Sequence, residues 1–229
     1  MSNGISFGRV SPNLKAKKVV ILASGSSLKG FDLQRINRKD YFVITINNSV
    51  KAAPFADAWF TLDPWGIHGP QLPPRSFKGT KYVAVPQDFG RRDAKHPAHR
   101  TRMPNDIIYL QRLLGNNLME QSSENAFALT LSEDPRCIST GNSGYGAFNL
   151  AYHLKPSKIL LLGLDGTVGY FYTDAERNRP LTHLPKMFNS TKTQMAQAGI
   201  QVINGSITSK INTYPKFRLE EALEIFDAD

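Results

Sequence analysis

Short apolar runs that end in polar residues dominate the first half of the chain. Apolar runs of about four to eight residues bounded by turn residues are typical of buried strands. The runs, each with the residues that follow it, are Val19–Ala23 before Ser24-Gly25-Ser26-Ser27, Tyr41–Ile46 before Asn47-Asn48, Ala58–Leu62 before Asp63, and Lys81–Val85 before Pro86. The pattern predicts four strands, the first three delivering polar side chains at their carboxyl ends.

The second half alternates helical and extended patterns. Apolar residues recur at helical spacing from Ala147 to Leu154, and the run Ile159–Leu164 that follows is apolar throughout and leads to Asp165. A second helix is predicted over Thr191–Ala198 and a last strand over Ile200–Ile203. This alternation predicts a single Rossmann-like α/β domain over residues 1–229, with a doubly wound, mostly parallel sheet and helices on both faces.

The polar residues after these strands are candidates for one binding crevice, because open parallel sheets bind ligands beyond the carboxyl ends of their strands. A glycine- and hydroxyl-rich stretch opens the predicted helix and adds backbone donors for an anion. The predicted nucleotide-binding set is Ser24, Gly25, Ser26, Ser27, Asn47, Asn48, Asp63, Thr140, Gly141, Asn142, Ser143, Gly144 and Asp165. Two structural alternatives stay open: the first turn is simply tight, and Thr140 or Ser143 only caps the helix.

The same motifs argue against two classes of nucleotide enzyme. Gly25–Gly30 is followed by Phe31-Asp32 rather than by lysine and a hydroxyl residue, which disfavours a Walker-type ATPase. The first turn lacks G-x-G-x-x-G, and asparagine stands where a dehydrogenase has its acidic residue, about 20 residues on.

A metal site is not predicted. No D-x-D string stands at a strand end, and Asp227–Asp229 is the only such string. His96 and His99 have no third ligand near them. We expect no metal and no cofactor, with the nucleotide sugar acting as substrate.

The charge of the chain favours anionic partners. Lys and Arg number 28 against 19 Asp and Glu, a formal charge of +9. Five of these cations fall in a predicted surface loop at about residues 87–104, where Arg91, Arg92, Arg100 and Arg102 are candidate contacts for an anionic acceptor, either glycan or DNA. The alternative is a solvated charged face.

Cysteine content and hydropathy predict a cytoplasmic protein, in the host cytoplasm if a phage encodes it. Cys137 is the only cysteine, and the longest apolar run is far too short to cross a bilayer. A homo-oligomer remains an open possibility.

The segment after Asp165 offers candidate catalytic groups. The hydroxyls of Tyr170 and Tyr172, in a glycine-rich loop, are suited to receive a leaving phosphate, although a surface-packed aromatic loop is an equal alternative. His183 lies in a later loop, and a histidine with a near-neutral pKa can deprotonate a hydroxyl nucleophile. Most isolated loop histidines have no such role.

Several stretches of the chain resemble two known glycosyltransferase groups. Val19–Leu28, Ser139–Gly141 and Leu162–Asp165 resemble the opening strand with its G-x-G-P-S-L turn, the T-S-G element and the G-I-D element of the small metal-independent bacterial sialyltransferases. Gly141–Tyr152, Ile159–Asp165 and Gly199–Asn204 are more closely similar to a phage and bacterial family described as glycosyltransferase-like.

The resemblance implies a sialyltransferase-like fold and a set of roles. A cytidine-type sugar nucleotide would be held by Ser24–Ser27, Asn47, Asp63 and Thr140–Ser143, the tyrosines after Asp165 would receive the leaving phosphate, and His183 would be the base. Thr167 stands where the sialyltransferases place a tyrosine, and His183 has a different local context.

The leading interpretation is therefore a metal-independent glycosyltransferase that uses a CMP-sugar-like donor and an acceptor hydroxyl. A phage DNA-modifying transferase of the same fold and a non-enzymatic nucleotide-binding phage protein are the alternatives.

Overall fold

The strands form one parallel sheet. A computed structural model describes residues 6–12, 17–63, 72–90, 104–113, 130–139, 141–174 and 180–228. Its strands are β1 (Lys18–Leu22), β2 (Tyr41–Ile46), β3 (Ala58–Thr61), β4 (Thr80–Val85), β5 (Ile108–Leu113), β6 (Cys137–Ser139), β7 (Lys158–Leu162) and β8 (Gln201–Asn204). They are hydrogen-bonded in the order β6-β5-β4-β3-β2-β1-β7-β8, and every pair is parallel. The predicted Rossmann-like α/β fold is confirmed.

Helices cover both faces of the sheet. They are α1 (Ser143–His153), α2 (Leu184–Asn189), α3 (Lys192–Gln197) and α4 (Leu219–Asp227), with 3₁₀ turns at Ser26–Leu28, Leu33–Ile36 and Asn47–Lys51. Alternate residues of β1 separate the two cores: Val19 and Ile21 pack with α1, α2 and α3, whereas Val20 and Leu22 pack with the 3₁₀ turns and α4. We call these sides the α1 face and the α4 face. Burial on both sides explains why the central strands are apolar throughout.

Four described elements were not predicted from the sequence. The strands β5 and β6 lie at one edge of the sheet, where β5 carries Gln111 and Arg112 within a short run and β6 has only three residues. The helices α2 and α4 also went unpredicted. The recognised central strands have apolar runs, and α1 has clear helical spacing. The helix α4 was missed although its apolar residues Leu219, Ala222, Leu223 and Phe226 also recur at helical spacing.

The strand order reverses at β1. Strands β2 to β6 extend the sheet to one side of β1, and β7 and β8 extend it to the other. The chain leaving β1 packs on the α4 face through Leu28, and the chain leaving β7 packs on the α1 face through Leu164 and Leu184. The carboxyl ends of β1 and β7 therefore flank the switch point where ligands bind in open α/β sheets.

Among the described helices, none has the length and apolar character needed to cross a membrane.

Candidate functional site

A buried carboxylate joins the two loops at the switch point. Asp165 is 2% exposed, and its Oδ2 accepts a hydrogen bond from the Ser27 backbone N–H at 2.8 Å. Its Oδ1 accepts another from Ser27 Oγ at 2.7 Å. Both carboxylate oxygens of Asp165 therefore bond to Ser27. The structure gives Asp165 a positioning role, whereas the sequence predicted that it would contact the nucleotide directly.

Gly25 packs too closely to tolerate a side chain. Its backbone N–H donates to Gly163 O at 2.8 Å, and a Cβ on Gly25 would lie 2.3 Å from Asp165 Oδ2. The turn after β1 therefore rests directly on the end of β7. This contact favours the tight-turn alternative for Gly25, whereas the neighbouring Ser26 is exposed.

The tyrosine loop lies on the same turn. Tyr170 forms an isolated antiparallel bridge with Gly25, and the Phe171 backbone N–H donates to Ser24 O at 3.1 Å. The Tyr170 and Tyr172 rings have centroids 5.5 Å apart, and Tyr172 is 42% exposed. Two groups predicted separately from the sequence, the Ser24–Ser27 turn and the tyrosines, are thus adjacent.

Asn47 and Asn48 directly follow β2, which lies between β1 and β3 in the sheet. Asn47 has a φ of +53° and its Oδ1 accepts from Thr61 Oγ1 at 2.7 Å, so its side-chain oxygen is committed to β3. Ser49 Oγ donates to Leu22 O at 2.8 Å, which ties the same turn to the end of β1. Asn48 Oδ1 is buried and has no hydrogen-bond partner among the described residues. A buried acceptor without a partner calls for a ligand or water to satisfy it.

The start of α1 completes this edge. Asn142, rather than Thr140 or Ser143, caps the helix: its Oδ1 accepts from the Gly144 N–H at 2.7 Å. Ser143 Oγ accepts from the Leu62 N–H at 3.4 Å, which brings α1 to the end of β3. A Cβ on Gly144 would lie 2.3 Å from Leu164 Cδ2, so this glycine lets the helix approach the chain after β7. Gly141 has a φ of +137°.

An acid–base pair lies further along the sheet edge. Burial raises the pKa of Asp63, and the charge of Arg112 opposes that shift. Burial lowers the pKa of Arg112 to about 10, while Asp63 acts to raise it. Arg112 Nε donates to Ala84 O at 2.8 Å, which fixes the guanidinium beside the end of β4. Sequence reasoning missed Arg112 because β5 was not predicted, although the apolar run Ile107–Leu110 ends two residues before it.

His183 immediately precedes α2. The Leu181 N–H donates to Gly166 O at 3.0 Å, so the segment leading to His183 is anchored to the residue after Asp165. Burial lowers the pKa of His183 below its ordinary 6.5. At pH 7 the imidazole is therefore neutral, which is the protonation state that a general base needs. Its side chain makes no capping hydrogen bond to α2.

Several predicted residues lie outside the described part of the chain. They are Thr140, Arg91, Arg92, Arg100 and Arg102, together with His96, His99 and most of the 87–104 loop. Within the described ranges, His, Cys, Asp and Glu form no group of three or more able to hold a metal ion.

The fold has a counterpart of known activity. No protein-family model matches this sequence, and no curated protein matches it. One solved structure that is similar to the chain is the MAf glycosyltransferase from Magnetospirillum magneticum AMB-1, with a TM-score of 0.55 and 12% sequence identity. The two proteins share a fold. The match covers 93% of this chain but only 36% of the other, so the chain spans little more than a third of that protein.

Proposed function

We propose that this chain is a glycosyltransferase that binds a nucleotide-sugar donor at the carboxyl ends of β1, β2, β3 and β7. The observation that carries the proposal is the switch point, where the loops after β1 and β7 leave on opposite faces and are joined by the bonds from Ser27 to Asp165. Nucleotides bind at such points in open α/β sheets. The fold shared with a glycosyltransferase favours sugar transfer by analogy among the reactions that nucleotide-binding folds support.

In this proposal, the nucleoside of the donor binds beside Asn47 and Asn48, at the carboxyl end of β2. The buried, unpartnered acceptor Asn48 Oδ1 requires a hydrogen-bond donor. A ribose hydroxyl, which every nucleotide carries, or the amino group of cytosine supplies one. The resemblance to the sialyltransferases then favours a CMP-sugar-like donor, with its phosphate directed toward Ser26 and the start of α1.

The transfer step uses His183 as base. The acceptor oxygen attacks the anomeric carbon from the side opposite the nucleotide and forms the new C–O bond, while the bond from that carbon to the phosphate oxygen breaks and its electron pair leaves with the nucleotide. The acceptor proton passes to the neutral imidazole of His183. The hydroxyls of Tyr170 and Tyr172 donate to the departing phosphate. The anomeric configuration is inverted.

The proposal includes no divalent metal. Sugar-nucleotide enzymes that hold one commonly use a D-x-D pair at a strand end, which this sequence lacks. In its place, hydroxyl groups and backbone N–H groups would meet the phosphate charge.

Release of CMP from a panel of CMP-sugars, measured with and without simple saccharide acceptors, tests the proposal. We expect the protein to accelerate release from at least one donor and the acceptor to increase the rate further. A protein that binds nucleotides yet turns over no sugar nucleotide would instead be the non-enzymatic binder. The DNA-modifying alternative depends on Arg91–Arg102, outside the described residues, and salt-sensitive retention on DNA would support it.

A further inference from the structure

A concave region lies beside the switch point on the α4 face. A cavity of about 390 Å³, open to solvent, is lined by the turn after β1, the residues after β8 and the start of α4. This volume is within the usual range for small-molecule sites, roughly 300–1,000 Å³. The lining segments are Ser27, Lys29–Phe31, Gly205–Thr208 and Arg218–Glu220. None of these except Ser27 belongs to the nucleotide-binding set.

Two positively charged side chains, Lys29 and Arg218, line this cavity, and neither is held by a buried ion pair within the described part of the chain. Arg218 makes no ion pair or hydrogen bond with any described side chain, and its side chain does not cap α4. Lys29 pairs with Asp174 at 3.1 Å, but the two side chains are 72% and 95% exposed. Exposed pairs of this kind contribute little stability, so an incoming anion can displace Asp174 at small cost. Among the described lining residues, Glu220 carries the one carboxylate, and its Oε1 lies 3.5 Å from Arg35 Nη1.

The rest of the lining combines hydroxyl and apolar groups. Ser206 Oγ and Thr208 Oγ1 lie 3.2 Å apart on the β8 side, and Ile207 between them is 54% exposed. Asn204 braces this wall, because its Oδ1 accepts from the Ser206 N–H and its Nδ2 donates to Ile211 O, both at 3.2 Å. Phe31 and Leu219 add apolar surface. Cations, hydroxyls and apolar patches together suit a polyhydroxylated molecule that carries an oxyanion.

We propose that this cavity binds the phosphate or carboxylate of a small saccharide through Lys29 and Arg218. The cavity and the proposed donor crevice share one wall, since Ser27 lines the cavity and is also hydrogen-bonded to Asp165 at the switch point. A saccharide held here lies next to the donor. Its assignment as the acceptor rests on the proposed function; the anion site itself does not.

The test is an NMR titration of the full chain with glucose 6-phosphate, glucuronate and glucose, with and without CMP. The first two probes separate a phosphate from a carboxylate preference, and glucose reports the contribution of the hydroxyls alone. We expect at least one anionic probe to bind tenfold or more tighter than glucose. Equal affinity for all three probes would overturn the anion site.

Three variants locate the binding. Lys29→Ala/Arg218→Ala should weaken the anionic probe at least tenfold, and Thr208→Trp, which fills the cavity without changing its charge, should weaken it similarly. The matched control is Lys51→Ala/Lys192→Ala, which removes the same net charge from exposed positions elsewhere. It should change the affinity less than twofold. Equal losses in the control and in Lys29→Ala/Arg218→Ala would show a non-specific charge effect and overturn the proposal.

CMP binding and turnover in the same samples separate this inference from the proposed function. Anion binding with the expected variant pattern, in a protein that neither binds nucleotides nor transfers sugar, would uphold the anion site and remove its acceptor role. If the protein binds nucleotides and transfers sugar but the variants do not change its affinity for the anionic probes, the proposed function stands and the anion site is overturned. Where an anionic acceptor is turned over, Lys29→Ala/Arg218→Ala should raise its KM at least tenfold with kcat within about threefold.

Discussion

The switch-point crevice and the cavity on the α4 face share Ser27 but are built in different ways. The crevice is held by buried hydrogen bonds between distant segments, from Ser27 to Asp165 and from Ser49 to Leu22. In the cavity, by contrast, the charged groups belong to the exposed side chains of Lys29 and Arg218. Buried polar networks fix geometry and cost stability when broken, whereas exposed cations mainly set affinity and its salt dependence. Substitutions at Asp165 and Gly25 should therefore reduce stability, whereas substitutions at Lys29 and Arg218 should reduce ligand affinity alone.

The largest expected effect is on turnover at His183. Loss of a general base typically costs about 10²- to 10⁴-fold in rate, so His183→Ala should lower kcat at least ~100-fold while nucleotide affinity is retained. Because its side chain makes no capping bond, α2 should not lose a cap. Steady-state kinetics with an identified donor measures the effect, and activity within about threefold of wild type would remove His183 from the mechanism.

The pH dependence should follow from the same residue. Burial lowers the pKa of His183, so the kcat limb that it controls should rise with pH through a pKa below 6.5. The unfolded chain binds the proton more readily, so this group's contribution to stability is complete above about pH 6.5 and is lost as pH falls below it. His183→Ala should lose that part of the pH dependence of unfolding. If the pH limb of kcat is unchanged in His183→Ala, that limb belongs to another titrating group.

The next largest effect is on folding at Asp165. Asp165→Ala leaves the N–H and Oγ of Ser27 without their acceptor, and hydrogen bonds to charged groups are worth about 1.5–3 kcal/mol each. We expect the free energy of unfolding to fall by about 3 kcal/mol in urea denaturation. Asp174→Ala, which removes an exposed carboxylate, is the control and should leave the midpoint unchanged. Equal stabilities of the two variants would show that the switch point is not held by Asp165.

A smaller loss of stability is expected at Gly25. A Cβ there would approach Asp165 Oδ2 to 2.3 Å and Gly163 O to 2.5 Å, so the turn must shift in Gly25→Ala. Overpacking of this kind costs about 1–3 kcal/mol. Ser26→Ala, at the adjacent exposed position, should be neutral in the same thermal unfolding experiment. Should Gly25→Ala prove as stable as Ser26→Ala, the close contact between the β1 turn and β7 is not needed for folding.

The smallest effect on folding is expected in the cavity. Lys29→Ala/Arg218→Ala breaks only one exposed pair, with Asp174, and should leave the urea midpoint within error of wild type. A loss of stability comparable with that of Asp165→Ala would mean that these cations are structural, and the contrast between the two regions would fail.

The sequence predicted which polar residues share one edge of the sheet better than it predicted what each of them contacts. Apolar runs identify the central strands, and parallel topology then brings Ser24–Ser27, Asn47 and Asp165 to one edge. The carboxylate of Asp165 and the side-chain oxygen of Asn47 turn out to hold neighbouring loops. Which atoms meet across the fold depends on loop packing, which local patterns do not encode. Arg112 went unnoticed for a different reason: the second half of its strand contains the polar residues Gln111 and Arg112, which shortens the apolar run that identifies a buried strand.

Nucleotide binding at the switch point is most directly tested by a thermal-shift panel of CMP, UDP, GDP and ADP in EDTA. A ligand at 100 times its Kd stabilises the folded protein by about 2.7 kcal/mol. We predict that CMP raises the Tm of the wild type and of Lys29→Ala/Arg218→Ala, and that Asn48→Ala, which removes the unpartnered acceptor, loses most of the shift. No shift with any nucleotide, a shift that requires added Mn²⁺, or an undiminished shift in Asn48→Ala would contradict the account.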